Sequence, residues 1–366
     1  MASRIVVFGA TGYTGRLAAE ALVAQGAHPL LAGRSELRLA EQAERLGGLE
    51  HRVADVERPE TVAALLEPGD VLLSTVGPFK RWGEPAVAAA IGAGGVYLDS
   101  TGEPAFIRRV FDVHDAPARR AGATLLPALG YDFVPGALAG ALALEAGGAA
   151  AVRVDVGYYA LGGGAAALSR GTRASLAGVA LDPAFAFRGG RITTVRSAER
   201  VRSFSVRGKD RPGISVGGAE HFGLPAAYPR LREVNVYLGW FGPASRATQA
   251  ISAAGAVLTR VPGVHGLLAR GGDKLGTLGG PGPDPGTTPG TTSHIAGVAY
   301  DAGGRPVAEV HVGGADAYDF TARFLAWAAR RAADGGVAAI GAAGPVTAFG
   351  LDGLREGCAA SGIEPL

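Results

Sequence analysis

The chain has one cysteine (Cys358), one methionine and three lysines in 366 residues. A lone cysteine excludes a disulfide framework and a thiolate metal centre, and it suits a reducing compartment. The seven histidines show no HExxH or comparable ligand spacing, so no metal site is expected. No apolar run approaches the roughly 20 residues a membrane-spanning helix needs; the Ala-rich stretch after Pro135 is broken by Glu145. Excess charge is missing too. With 35 Lys plus Arg against 33 Asp plus Glu, the formal net charge is +2, which argues against nucleic acid or an anionic membrane surface as partner. The first strand begins at about Arg4, too early for a secretory leader. The expectation is a soluble, cytoplasmic protein.

What is plentiful is apolar surface. Hydrophobic residues make up 48% of the chain, enough for a sizeable core, and the length favours two domains. From residue 1 to 130, short apolar runs alternate with helical patterns: "RIVVFGA", "HPLLAGR", "EHRVADV", "DVLLSTV", "VYLDST" and "ATLLPAL". Uniformly apolar strands in a βαβ rhythm predict a doubly wound parallel sheet of Rossmann type, covered on both faces. After residue 130 the rhythm breaks. A helix from about Pro135 precedes "VRVDVGYYA", "AFAFRGGRITTV", "RSFSV", "EVNVYLGWF" and the hairpin "SHIAGVAYDAGGRPVAEVHVGG", with helices near 165–180 and 244–260. This predicts an α+β second domain over 131–317 with a mostly antiparallel sheet. Residues 279–293 form a Pro/Gly/Thr loop, and the helical segment 318–366 is expected to pack back on the first domain.

In "VVFGATGYTG", Gly9, Gly12 and Gly15 follow a strand and open a helix. The first glycine permits the tight turn, the second lets backbone approach a pyrophosphate, and the third lets helix pack against strand. With Ala10, Thr11, Tyr13 and Thr14 they form a cradle whose helix N-terminus offers N–H groups to phosphates. Cofactor type is read at the end of the second strand, where a carboxylate would bind a ribose 2′-hydroxyl. Arg34, Ser35 and Arg38 stand there instead and favour a 2′-phosphate, hence NADP(H), although Glu36 dilutes that signal. Ser35 also suits a helix N-cap. Asp55, after the third strand, is assigned to the adenine edge, with an ordinary cap before "RPETVAALL" as the alternative. Short-chain dehydrogenase chemistry, which needs a Tyr four residues before a Lys, is absent: Val76, Ser205 and Arg270 occupy those positions.

Longer stretches carry a family likeness. "GATGYTG", "AGRS", "STVGPFKRWGEPAVAAAIGAGGVYLDSTGE" (74–103), "LGYDFVPGALAG" (129–140) and "YDFTARFLA…GPVTAFGLDGL" together resemble the saccharopine dehydrogenase-like oxidoreductases, which include saccharopine reductases and trans-acting enoyl reductases. The resemblance implies an NADP-binding Rossmann domain, a second domain whose sheet often forms a homodimer, and hydride transfer to a C=C or C=N bond. A non-catalytic NADP sensor is the alternative from another class.

In an open parallel sheet, ligands lie beyond the carboxyl ends of the strands. Val76, Gly77, Pro78 and Phe79 follow strand four, Thr101–Glu103 strand five, and Tyr131–Asp132 strand six. The first three of these residues are assigned to the cofactor. Candidate proton donors are Tyr131, Lys80 and Asp132, with Glu103 and His221 behind them. An Asp in the position of Asp132 more often accepts backbone N–H bonds at a helix start. Glu220 and His221 fall between strands, in an expected loop. The basic run 188–211 reads better as a solvated sheet face than as a landing patch for an acyl carrier protein. A polycarboxylate such as saccharopine would need converging cations, for which Arg170, Arg173 and Arg246 are available. The Gly/Ala-rich second domain favours a small uncharged or acyl substrate and reduction of a conjugated C=C bond.

Overall fold

Strands of three or four residues build the centre of the N-terminal part: β1 (Ile5–Phe8), β2 (Leu30–Gly33), β3 (His51–Val53), β4 (Val71–Ser74), β5 (Val96–Asp99) and β6 (Thr124–Leu126). They pair in parallel in the order β6-β5-β4-β1-β2-β3, and the two-residue strand Gly341–Ala342 extends the β6 edge. β1, β2 and β4 are buried throughout, as strands covered on both faces must be. Each Val, Leu or Ile withdrawn from water there contributes about 1.5–3 kcal/mol. Leu72 is fully buried, so Leu72→Ala alone would cost about 2–5 kcal/mol.

The computed structural model describes residues 3–162, 184–240, 242–258 and 291–366. The chain divides into two units, the first comprising Met1–Thr101, Phe106–Val134 and Ala317–Ile363, the second Gly102–Ala105, Pro135–Asp316 and Glu364–Leu366. The helices in chain order are α1 (Tyr13–Ala24), α2 (Glu36–Arg45), α3 (Pro59–Ala63), α4 (Phe79–Trp82), α5 (Glu84–Gly92), α6 (Pro104–Arg109), α7 (Asp115–Ala121), α8 (Val134–Gly147), α9 (Glu220–Ala227), α10 (Ser245–Leu258), α11 (Ala317–Ala333) and α12 (Pro345–Ala360). In the first unit α11 lies along α1 and reaches β4 and β5, while α3, α5 and α7 pack together with the same strands' neighbours. α1 stops where Gly26 adopts a left-handed φ of 81° and the Ala27 amide bonds back to the Leu22 carbonyl at 2.9 Å, a helix end that glycine makes inexpensive.

The second unit holds β7 (Arg153–Leu161), β8 (Ala184–Arg188), β9 (Arg191–Val195), β10 (Val201–Val206), β11 (Lys209–Val216), β12 (Glu233–Leu238), β13 (Thr292–Tyr300) and β14 (Pro306–Gly314). They run β10-β11-β12-β7-β13-β14, with the β8–β9 hairpin attached to β12. Only β7 and β12 pair in parallel within this path. Along β7 the side chains alternate. Val156 and Tyr158 lie against Gly136 of α8, while Gly157 accommodates the Phe204 ring, which would stand 2.8 Å from an added β-carbon. Phe204 also meets Tyr159 and Tyr237 edge to face. Tyr159, Phe204, Tyr237 and Tyr300 are thus buried in one cluster with Leu161, Val206, Ala296 and Val298 of the same unit.

Two elements differ from the sequence reading. β11 was not foreseen, because "KDRPGISV" contains Pro212 and Gly213. Pro212 is tolerated because β11 pairs with β12 only at Ile214–Val216, leaving Pro212 on an edge-like stretch where its missing N–H is harmless. Glu220 and His221 lie on helix α9, not in a loop, and both are buried. The expected helix near 165–180, Arg170, Arg173 and most of the 279–293 loop lie outside the described residues.

Candidate active site

β1 pairs with β2 on one side and β4 on the other, so the chain order reverses at the mouth of the glycine turn, where such sheets bind ligands. The Gly9 and Ala10 amides donate to the Ala32 carbonyl at 2.9 and 3.1 Å, and the Gly12 amide to the Gly9 carbonyl at 2.9 Å. Gly9 has a φ of 88°. A β-carbon at Gly15 would stand 2.2 Å from the Gly9 oxygen and 2.7 Å from Thr75 Oγ1. Only glycine fits there, and its fit draws α1 onto the turn. The first turn of α1 has no acidic residue and no side-chain cap, so no carboxylate of that turn competes with an anion at its positive end. Gly12 is the exposed member of the three, open to the approach of a pyrophosphate. These residues fit a dinucleotide.

At the end of β2, Arg34 and Arg38 are exposed, and neither forms an ion pair with a carboxylate among the described residues. Ser35 holds the N-cap of α2 but makes no capping hydrogen bond, contrary to its expected capping role. Both cations and this hydroxyl are thus available to a 2′-phosphate. Asp55 Oδ1 accepts the Glu57 amide at 3.1 Å in the turn ahead of α3; the N-cap of that helix is Arg58, with no side-chain capping bond, so Asp55 is not the helix cap of the alternative reading.

The loops beyond β4 and β6 carry the remaining candidates. Val76 is partly buried, Gly77 and Pro78 are exposed and joined by a cis peptide, and Lys80 is exposed on α4. Phe79 turns inward against Phe106. Tyr131 is buried, and its amide donates to Thr321 Oγ1 of α11 at 2.9 Å. Asp132 is partly exposed as a residue, yet its Oδ1 is sealed from solvent without a hydrogen-bond partner among the described residues. That oxygen does not cap a helix, as such an Asp more often would. Burial pushes its carboxyl up from the ordinary 3.8 to about 7, so it can hold or release a proton near neutrality.

In the second unit, His221 Nδ1 lies 3.0 Å from both backbone N and O of Gly218. Burial holds its imidazole down at about 4, which removes it as a cationic proton donor at neutral pH. Glu220 accepts the Tyr158 hydroxyl at 2.6 Å. The basic run is largely committed: Arg188 pairs with Glu199, Arg200 with Glu233, and Arg202 with the buried Asp155. Arg246 lines a cavity of about 550 Å³ with Val201, Ser203, Pro212 and Gln249.

Sequence reasoning missed several residues around the cradle. Thr75 packs beneath it, with Oγ1 donating to the Gly9 carbonyl at 3.2 Å. Tyr318 of α11 meets Tyr13 edge to face at 5.2 Å. Thr321 pins the loop beyond β6. Each depends on contacts distant in sequence, so no local signal marks it.

A Rossmann-type dinucleotide-binding domain joined to a unit with a mixed sheet is the class that fold and cradle define. Residues 5–126 match the saccharopine dehydrogenase NADP binding domain, and the chain thus carries an NADP-binding domain of that family. A trans-acting enoyl reductase of Mycobacterium leprae is 42% identical over 137 residues, 36% of this chain and 33% of that protein. One from Mycobacterium tuberculosis H37Rv is 41% identical over the same length and shares. The chain thus aligns with about a third of the length of these relatives. The apo saccharopine dehydrogenase (L-Glu forming) of Saccharomyces cerevisiae shares the fold, with a TM-score of 0.60 and 13% identity over 97% of this chain and 96% of that one. No helix among the described residues is long and apolar enough to cross a membrane.

Proposed function

We propose that the protein is an NADPH-dependent reductase that transfers hydride to a polarised double bond, a conjugated C=C of a small or acyl substrate. The observation that carries the proposal is the glycine turn, which excludes side chains at Gly9 and Gly15 and leaves the α1 N-terminus open. Arg34 and Arg38, without carboxylate partners among the described residues, select the 2′-phosphate. The partial likeness to trans-acting enoyl reductases supports C=C over C=N. So does the commitment of Arg188, Arg200 and Arg202 to ion pairs, which leaves fewer cations for a polycarboxylate.

When bound, NADPH supplies the hydride; the protein must supply a proton to the other end of the bond. Asp132 is best suited to hold that proton, because its carboxyl sits near 7 and so is partly protonated at working pH. Tyr131, fixed through its amide by Thr321, orients the substrate or relays the proton. Lys80, exposed on α4, provides a cation for a carbonyl at the loop beyond β4. Gly77, Pro78 and the inward Phe79 form the wall at the same strand end. A homodimer through the second unit belongs to the same reading, on the family resemblance alone. The test is to follow NADPH absorbance with a panel of α,β-unsaturated acyl thioesters and, in parallel, cyclic imines. Turnover with the thioesters alone supports the proposal; turnover with imines alone replaces it with C=N reduction.

A further inference from the structure

The carboxyl ends of β5 and β6 are joined by one side chain. Asp99, the last residue of β5, is fully buried. Its Oδ1 accepts the Thr101 amide at 2.8 Å and the Ala128 amide at 2.8 Å. Its own carbonyl accepts the Leu129 amide at 2.7 Å. Three backbone groups from two loops thus converge on a single residue. A carboxylate accepting backbone N–H groups forms charge-assisted bonds, roughly twice as strong as neutral ones. The surroundings keep it dry: Ser74, opposite in the β4–β5 register, and Tyr97, two residues earlier on the same face, are fully buried. Burial first, and then the Asp99 charge, push the Tyr97 hydroxyl well above its ordinary range.

The loop that Asp99 holds is one the chain would not adopt unaided. Ala128 has a φ of 63° and Phe133 a φ of 130°, conformations that L side chains rarely take and that persist only when surrounding contacts over-determine them. Tyr131 and Asp132 lie between these two residues. The Ala128 end is held by Asp99, and the middle by Thr321 through the Tyr131 amide. Beyond β5 and β6 is the half of such a site that receives the nicotinamide, since the adenosine lies over β1–β3.

The geometry points to Asp99 as a positioning residue: its carboxylate ties the loops beyond β5 and β6 together and presets the nicotinamide and substrate end of the site, without touching the adenosine end. This rests on the NADPH reading above. Preorganisation of this kind appears as ligand affinity, because the cost of ordering the loops is met in folding and not in binding.

Two probes separate the ends. Adenosine 2′,5′-bisphosphate occupies only the adenosine half, and NADPH occupies both. Kd is measured for each by competition and by nicotinamide fluorescence, with native protein, Asp99→Ala and Asp99→Asn. The expected result is that Asp99→Ala weakens NADPH about tenfold or more while the fragment stays within about twofold. Asp99→Asn keeps an oxygen acceptor but loses the charge, so it should fall between native and Ala for NADPH, with the fragment again unchanged. An Asp99→Ala protein that binds NADPH within twofold of native, or that weakens both probes alike, overturns the assignment. Should Asp99→Ala not fold, Asp99→Asn decides: selective loss of NADPH supports the clamp, and equal effects on both probes reject it. Native protein that binds neither probe refutes the NADPH reading itself, a different result from any of these.

Discussion

Gly15→Ala sets two effects against each other whose sizes can be worked out. Alanine in a helix is favoured over glycine by about 1 kcal/mol. Against that, the new β-carbon would stand 2.2 Å from the Gly9 oxygen, 2.7 Å from Thr75 Oγ1 and 2.9 Å from the Gly9 carbonyl carbon. Non-bonded atoms of this kind settle at roughly 3.5 Å, so α1 must retreat by about 1 Å. Two of the three obstacles are backbone and cannot rotate away. Overpacking of this sort costs about 1–3 kcal/mol, occasionally more, and the clash wins. Stability should fall by about 1 kcal/mol net, and by no more than about 2. Binding should fall further, because a 1 Å retreat carries the α1 amides out of hydrogen-bond range of the pyrophosphate. Losing two charge-assisted bonds of about 1.5–3 kcal/mol each corresponds to about a 10²–10⁴-fold weaker NADPH complex. Gly12→Ala is the control: its β-carbon meets only the Gly9 oxygen, at 3.2 Å, and its φ of −76° suits alanine. It should bind NADPH poorly yet melt within a few degrees of native. Thermal melts and fluorescence titration read both quantities. A Gly15→Ala protein with native melting and native affinity would refute the cradle geometry.

Other outcomes follow from the same structure. Arg34→Ala should remove most of the preference for NADPH over NADH, a loss of about 1–3 kcal/mol, measured as the ratio of the two dissociation constants. Asp132 holds its proton to about pH 7 in the fold against 3.8 ordinarily. The native state therefore binds the proton more tightly than the unfolded chain, and stability falls as pH rises from about 4 to 7, then levels off. At 1.36 kcal/mol per unit this amounts to at most about 4 kcal/mol, and less as far as water reaches the side chain. Asp132→Asn should flatten that slope in melts recorded across this range; an unchanged slope would show that Asp132 titrates normally. Tyr131→Phe, or Lys80→Met, should lower turnover by about 10²–10⁴-fold if either donates the proton. If only Asp132→Asn does so, the carboxyl is the acid. Light scattering should return a dimer mass at micromolar concentration, and a monomer throughout would remove the homodimer.

Most of the first unit was legible because its central strands are short apolar runs punctuated by glycines: β1, β2, β4 and β5 fall where "IVVF", "LLAG", "VLLS" and "VYLD" place them, whereas β3 is the polar, largely exposed His51–Val53. The glycine turn carried the nucleotide reading for the same reason, since its spacing is local. Legibility ended where a role is set by distant neighbours. Asp99 looks like an ordinary strand end until Ala128 arrives from β6, and Thr321 is one more threonine until the Tyr131 amide meets it. Nothing local distinguishes Asp132 from a capping aspartate; only the folded chain seals its Oδ1. Pro212 concealed β11, because its tolerance depends on which neighbour pairs at that point. The arginines of 188–211 read as a solvated face, yet Arg202 points inward to Asp155, a partner 47 residues away.

Side-by-side titration of the native protein with NADPH and NADH, at one ionic strength and followed by nicotinamide fluorescence, tests the central claim most directly. Saturable binding of both is expected, with NADPH tighter by about tenfold or more, as one charge-assisted contact to the 2′-phosphate would give. Equal affinities, or no binding of either, would contradict it.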